Sequence, residues 1–244
     1  MGLIQVPKRQ VTRREFLNTF LNISGLSGIS LLLSSCGVPI FEGTVGKLSE
    51  PLNQKVEALL QKSQTPVPEF SVKDIQPDAL IVNSFRFNPV IDLEKYRLIV
   101  DGEVNNPLNL KVPEIHALPM TSMIIRHVCV EGWAAIVQWT GVRLRDIIAL
   151  AQPQADVKYV YLQSADGYYS SWDIASALHP QTLLAYEKNG ESLPIENGAP
   201  LRLASPIKLG YKQSKWVMKI TLVSDLYRNK GYWEDQGYEW FAGL

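Results

Sequence analysis

Residues 121–130 read TSMIIRHVCV, and whether they form a strand or a helix decides the fold. The run is β-branched and apolar and carries no helical stripe, so it predicts a strand. Outward from it the same signals recur. YRLIVDGEV (96–104) carries a turn at Asp101-Gly102, VKYVYLQSADGYYSSW (157–172) folds back through Asp166-Gly167, and SKWVMKITLVSD (214–225) reads as a further strand. Helical periodicity appears mainly in GVRLRDIIALA (141–151) and WDIASAL (172–178). Strands with scattered short helices and no regular alternation predict an α+β fold. No glycine-rich phosphate loop follows any strand, which weakens a nucleotide-cofactor reading.

A chain of 244 residues with 46% hydrophobic side chains buries a sizeable core, as one large domain or two small ones. Lys plus Arg and Asp plus Glu balance at 24 each, so no basic field draws it to nucleic acid, and no nucleic-acid partner is expected. Six Trp and ten Tyr supply candidates to line a pocket, with simple packing as the alternative for most.

The first residues read as an address. TRREFLN (12–18) pairs Arg13 with Arg14 ahead of a mildly apolar run, the layout of a twin-arginine export signal. It closes on LLLSSCG (31–37), which resembles a lipobox in which Cys36 becomes the acylated first residue. An uncleaved anchor helix is the alternative. Three segments are therefore expected: an export signal with lipobox over 1–36, a tether with a short helix over 37–73, and a compact domain over 74–244. The expected location is periplasmic or on the outer face of the cytoplasmic membrane, lipid-tethered.

With Cys36 acylated, Cys129 has no disulfide partner in the chain. Three roles stay open to it: an inert buried thiol, a nucleophile activated by His127, or a soft metal ligand. On a strand, His127 and Cys129 share a face about 7 Å apart, which suits a common cavity better than a tight nucleophile-base pair. Gly132, between Glu131 and Trp133, lets the chain turn there.

RHVCVEGWAAIVQWTGVRLRDIIALA (126–151) and ALHPQTLLAYEKNGESLPIENGAPLRLASPIKLGYKQSKWVMKITL (177–222) resemble the molybdopterin domain of the sulfite oxidase fold. The similarity is greatest to the catalytic subunit of periplasmic methionine sulfoxide reductases and covers about residues 78–225. It implies mixed β-sheets with surrounding short helices and a Mo-molybdopterin cofactor, with Cys129 as the catalytic residue and the protein's one ligand to the metal. A thiolate is a strong soft donor, in keeping with that role. The resemblance also carries cofactor contacts to Asn83, Arg86 and Phe87 of NSFRF, to Ser164 where the relative has threonine, and to Asn197 and Arg202 of NGAPLR. Gln213, Ser214 and Lys215 complete the set, and Arg202 with Lys215 suit a terminal phosphate. His127 is implied at most as a hydrogen-bonding neighbour of the metal ligand. Tyr168, Tyr169 and Trp172 are candidates for the substrate mouth, with packing as the alternative.

Two departures bear on substrate. Sulfite oxidases follow the ligand cysteine with Ala-Gly-Asn-Arg-Arg, whereas Val130, Glu131, Gly132 and Trp133 supply no cation, which disfavours a sulfite or nitrate pocket. Arg126 is expected on the opposite face. The stretch from Ser164 to His179 is also shorter than in the methionine sulfoxide reductase. The function expected is oxygen-atom transfer on a small substrate, possible sulfoxides included, with electrons from a separate membrane cytochrome or soluble carrier, since no haem or iron–sulfur cysteine set is present. A metal-free binding or scaffold lipoprotein and a Cys129–His127 hydrolase are the rivals.

Overall fold

The computed structural model describes residues 65–244. The expected export signal, Cys36 and most of the tether lie outside the described residues.

The first sheet takes β1 (Leu98–Gly102), β2 (Leu108–Leu110), β5 (Tyr159–Ser164), β6 (Tyr169–Asp173) and β10 (Val217–Val223) in the order β2-β1-β10-β5-β6. β1 pairs β10 in parallel and the other neighbours are antiparallel. The second sheet runs β3 (Met120–Val128), β4 (Ala134–Arg143), β7 (Leu183–Lys188), β8 (Glu191–Ser192), with β9 (Arg202–Ala204) also on β7. Short helices α1 (Val112–His116), α2 (Leu144–Ala151) and α3 (Ile174–Ala177) join them. The α+β expectation therefore holds, and residues 121–128 are a strand.

Alternation along β3 shows why it forms. Met123, Ile125 and His127 are buried while Ser122 and Arg126 face outward, so one pleat feeds the core. Arg126 thus lies away from the His127 face, its guanidinium 5.1 Å from the Phe70 ring centroid. β3 is an edge strand; Glu69 and Phe70 hydrogen-bond to Ile124 on it, and Thr65 and Val67 bond to His179 and Gln181, so the end of the expected tether is docked on the domain. Phe70 N donates to Ile124 O at 2.9 Å, and Val67 exchanges hydrogen bonds with the Gln181 amide. Covering an edge in this way removes a template for unwanted pairing.

The helix expected over 141–151 begins only at Leu144. Gly141 belongs to β4, where a Cβ would lie 2.1 Å from Leu184 O, so the bare backbone is what lets β7 pack so closely. In α2 the spacing Leu144, Ile147, Ile148, Ala151 buries one stripe against the first core cluster. A second cluster, with Met123, Ile125, Val137 and Trp139, packs on the buried face of β3 and β4.

Candidate cofactor and active site

The β3–β4 hairpin turns at Cys129–Trp133, beside a cavity of about 450 Å³. Cys129 N donates to Trp133 O at 2.9 Å and Gly132 N to Cys129 O at 3.1 Å. Gly132 takes φ 92°, a left-handed conformation that glycine adopts without Cβ strain. The strand thus ends one residue before Cys129, which is the first residue of the turn. The thiol is half-buried and free.

Glu131 Oε2 gathers three donors: Trp133 Nε1 at 2.9 Å, Asn83 Nδ2 at 3.0 Å and Cys129 Sγ at 3.5 Å. These bonds, from Trp133 foremost, hold the exposed Glu131 carboxyl below its usual range. Burial, and then the neighbouring Glu131, push the Cys129 thiol up. A bare thiolate is therefore disfavoured, and His127 gives it no base. Burial and the Arg202 charge press His127 down to about 3, and its Nδ1 lies 3.1 Å from Gln213 Oε1. The hydrolase reading loses its activated pair. A bound cation is what would favour the thiolate here.

Elsewhere on the same cavity wall stand two cations with no ion-pair partner, although the Asp166 and Glu196 carboxylates lie near enough to act on Lys215. Arg202 is only 4% exposed; its Nε donates to Leu203 O at 3.1 Å and its Nη1 to Asn197 O at 3.0 Å, and it lies 4.5 Å from the Trp139 ring centroid. Among the described residues no carboxylate pairs with it. Lys215 donates to Glu196 O at 2.7 Å and sits 4.2 Å from the Trp216 centroid. Burial, then the Arg202 charge, bring Lys215 down to about 8. Gly198 makes this pairing possible: at φ 115°, a Cβ there would meet Lys215 Cβ at 2.9 Å and Arg202 Cβ at 3.1 Å. The Ser214 hydroxyl beside them is buried without a partner. An uncompensated buried guanidinium with unused donors nearby calls for an anionic ligand.

The cavity wall brings together Asn83, Cys129, Asn197, Arg202, Gln213, Ser214 and Lys215. It does not include Arg86, Phe87 or Ser164. Arg86 lies over the Phe85 ring, and Phe87 is 54% exposed, while Phe85 supplies the aromatic wall two residues earlier. Ser164 ends β5 with its hydroxyl buried and unpartnered, and Asp166 and Tyr168 line the cavity in its place. Of the expected mouth residues Tyr168 is there, Tyr169 bonds Asp235 at 2.7 Å away from the wall, and Trp172 is buried against Lys212 O at 2.8 Å. Tyr211, Tyr232, Trp233 and Tyr238 complete the mouth. Sequence reasoning missed them individually, though the aromatic richness of the C-terminal end was the available signal.

A latch holds that end in place. Lys212 and Glu234 form an ion pair with side chains 0% and 1% exposed, and Tyr211 donates from its hydroxyl to Glu239 O at 2.6 Å. Removing one partner leaves a buried charge, so Lys212→Met is expected to cost about 3–5 kcal/mol. Chemical unfolding checks this, and adding Glu234→Gln should recover part of the loss.

A metal held through Cys129 takes its other donors from a ligand, because among the described residues no group of three His, Cys, Asp or Glu could hold one. One soft donor beside cations with no ion-pair partner suits an anionic, metal-bearing cofactor. The chain belongs to the oxidoreductase molybdopterin-binding domain family, whose model matches residues 86–233. It is 37% identical over 241 residues to a protein of Azospira oryzae named "Putative protein-methionine-sulfoxide reductase subunit YedZ1", covering 95% of this chain and 87% of that one. It is 28% identical over 213 residues to the protein-methionine-sulfoxide reductase catalytic subunit MsrP of Campylobacter jejuni, covering 76% and 71%. The crystal structure of the sulfane dehydrogenase SoxCD from Paracoccus pantotrophus shares the fold, with TM-score 0.55 and 22% identity over 58% of this chain and 42% of that one. The protein is thus an oxidoreductase with a Mo-molybdopterin cofactor. Its residues fit that group: Cys129 would ligate the metal, and Arg202, Lys215 and Ser214 would receive the phosphate.

Proposed function

We propose that the protein reduces sulfoxides, R₂SO + 2H⁺ + 2e⁻ → R₂S + H₂O, with electrons from a separate carrier. The observation that carries this reading is the turn Cys129–Trp133, which puts a carboxylate and no cation beside the thiol. An oxyanion such as sulfite is repelled by Glu131, whereas a sulfoxide is dipolar and uncharged. The relatives' printed names, which include methionine sulfoxide reductase, point the same way.

Bound molybdenum supplies a two-electron centre that accepts an oxygen atom. The chain's own residues do the rest. Cys129 fixes the reacting face of the cavity. Glu131, braced by Trp133 and Asn83, holds that thiol's loop in place. Phe85, Tyr168 and Tyr232 form an aromatic wall, their rings 4.3–6.2 Å apart, that admits apolar substituents on sulfur and limits water.

We also infer export by the twin-arginine signal and lipid attachment at Cys36, supported by TRREF and LLLSSC. The relatives' designation as subunits supports a separate electron partner. Protein purified with its own export machinery tests these readings together. Reduced-dye oxidation against sulfoxides, N-oxides, nitrate and sulfite should favour sulfoxides, and the mass should match an acylated chain beginning at Cys36. Turnover confined to nitrate or sulfite would sink the substrate assignment, and an intact Met1 the anchor.

A further inference from the structure

We propose that His127 is a further cofactor-binding residue, which presents Nε2 as a hydrogen-bond acceptor to an N–H of the pterin. The argument starts from Gln213, whose Nε2 donates to Ser205 O and to Lys208 O, both at 2.9 Å. Two backbone carbonyls therefore fix which end of the amide is nitrogen. The opposite end, Oε1, accepts from Ser205 N at 3.2 Å and lies 3.1 Å from His127 Nδ1. An amide oxygen only accepts, so Nδ1 carries a proton, and in a neutral imidazole Nε2 then carries a lone pair.

That lone pair has no protein partner. His127 is 5% exposed and lines the cavity that holds Cys129 and Arg202. Nε2 sits over Gly210, where a Cβ would lie 2.9 Å away, and Trp133 stacks on the ring at 5.8 Å with 24° between planes. The ring is thus clamped from several sides with its one free polar atom unsatisfied. Nε2 opens on the cavity, where a ligand can reach it, and molybdopterin brings ring and amino N–H donors that an acceptor there can take. Nothing about Cys129 is needed for this contact beyond its position two residues further along the chain.

The inference rests on the cofactor assignment, and the experiment separates the two. Wild-type protein labelled with ¹⁵N-histidine is prepared with cofactor and from a host unable to make pterin, with molybdenum measured in each sample. Without cofactor, His127 should show a protonated Nδ1 and an unprotonated Nε2, and loading should shift the Nε2 resonance while Nδ1 keeps its proton. A protonated Nε2 in the apoprotein, or an Nε2 signal indifferent to loading, overturns the proposal. Absence of molybdenum from the wild type defeats the cofactor assignment instead. His127→Leu should lose pterin about ten-fold faster on gel filtration, and His127→Gln, which keeps an acceptor, should restore part of it. Equal retention by all three proteins also overturns the proposal. If His127→Leu does not fold, the wild-type spectra decide.

Discussion

Cys129→Ser is expected to purify folded but with molybdenum at background and oxidoreductase activity reduced by more than about 10²-fold. That is beyond what loss of an outer-shell partner costs a metal site. The reason lies in the donor set. Cys129 is the sole cysteine among the described residues, and no cluster of three ligating side chains stands ready to replace it. A serine hydroxyl is harder than a thiol and loses its proton far less readily, so it does not substitute as a soft anionic donor. Folding should be spared, because Cys129 lies in a turn closed by its own backbone to Trp133 and not by its sulfur. Elemental analysis with a thermal melt checks both halves. A variant that retains its metal defeats the assignment.

Arg202→Met should weaken cofactor retention by about 10- to 150-fold, the equivalent of one charge-assisted hydrogen bond at about 1.5–3 kcal/mol. Arg202→Lys should not restore it. The planar fork, the stack on Trp139 and the bond to Asn197 O all depend on guanidinium geometry. Inorganic pyrophosphate gives a direct measurement on the apoprotein: it should raise the melting temperature of the wild type and not of Arg202→Met. This effect should carry a pH signature through Lys215. Its folded pKa of about 8 lies below the ordinary 10.5, so between these values the unfolded chain binds more protons than the folded one. Apoprotein stability from this group therefore rises from pH 8 toward 10.5, whereas stabilisation by pyrophosphate falls as Lys215 loses its charge above about pH 8. In Lys215→Met both trends should flatten.

The likeness to molybdopterin domains was carried by short strings, and the strings that survive in the cavity are those anchored by backbone geometry. Asn197, Gly198 and Arg202 sit on one turn and the strand it feeds, so their spacing in sequence already fixes their spacing in space. NSFRF is different. Residues 80–85 reach the site along an irregular segment, and which aromatic turns inward depends on contacts with Tyr168 and Tyr232, far away in the chain. Position matching named Phe87, whereas Phe85 is the phenylalanine that lines the cavity. Ser164, the last residue of β5, is buried off the cavity wall, while the turn beyond it places Asp166 and Tyr168 there.

β4 and β7 were the strands least legible beforehand. AAIVQWTGVR leads without punctuation into a helix, and only the close approach of β7 at Gly141 shows where one period gives way to the other. The tether boundary was hidden similarly, since TPVPEF has the prolines of a linker yet docks on the domain through Gln181 and Ile124.

By itself the sequence determined the α+β class, a turn at Gly132, and the absence of a cation from Val130–Trp133, because each follows from local pattern and residue type; that the strand stops at Val128 and leaves Cys129 in the turn came from the structure. The tertiary structure alone decided that Arg202 and Lys215 stand together with no ion-pair partner, that the C-terminal aromatics line the mouth, and that Gln213 lies against His127 Nδ1. Those facts arise from side chains far apart in the chain meeting in a low-dielectric space, where desolvation makes every unmatched charge or lone pair count.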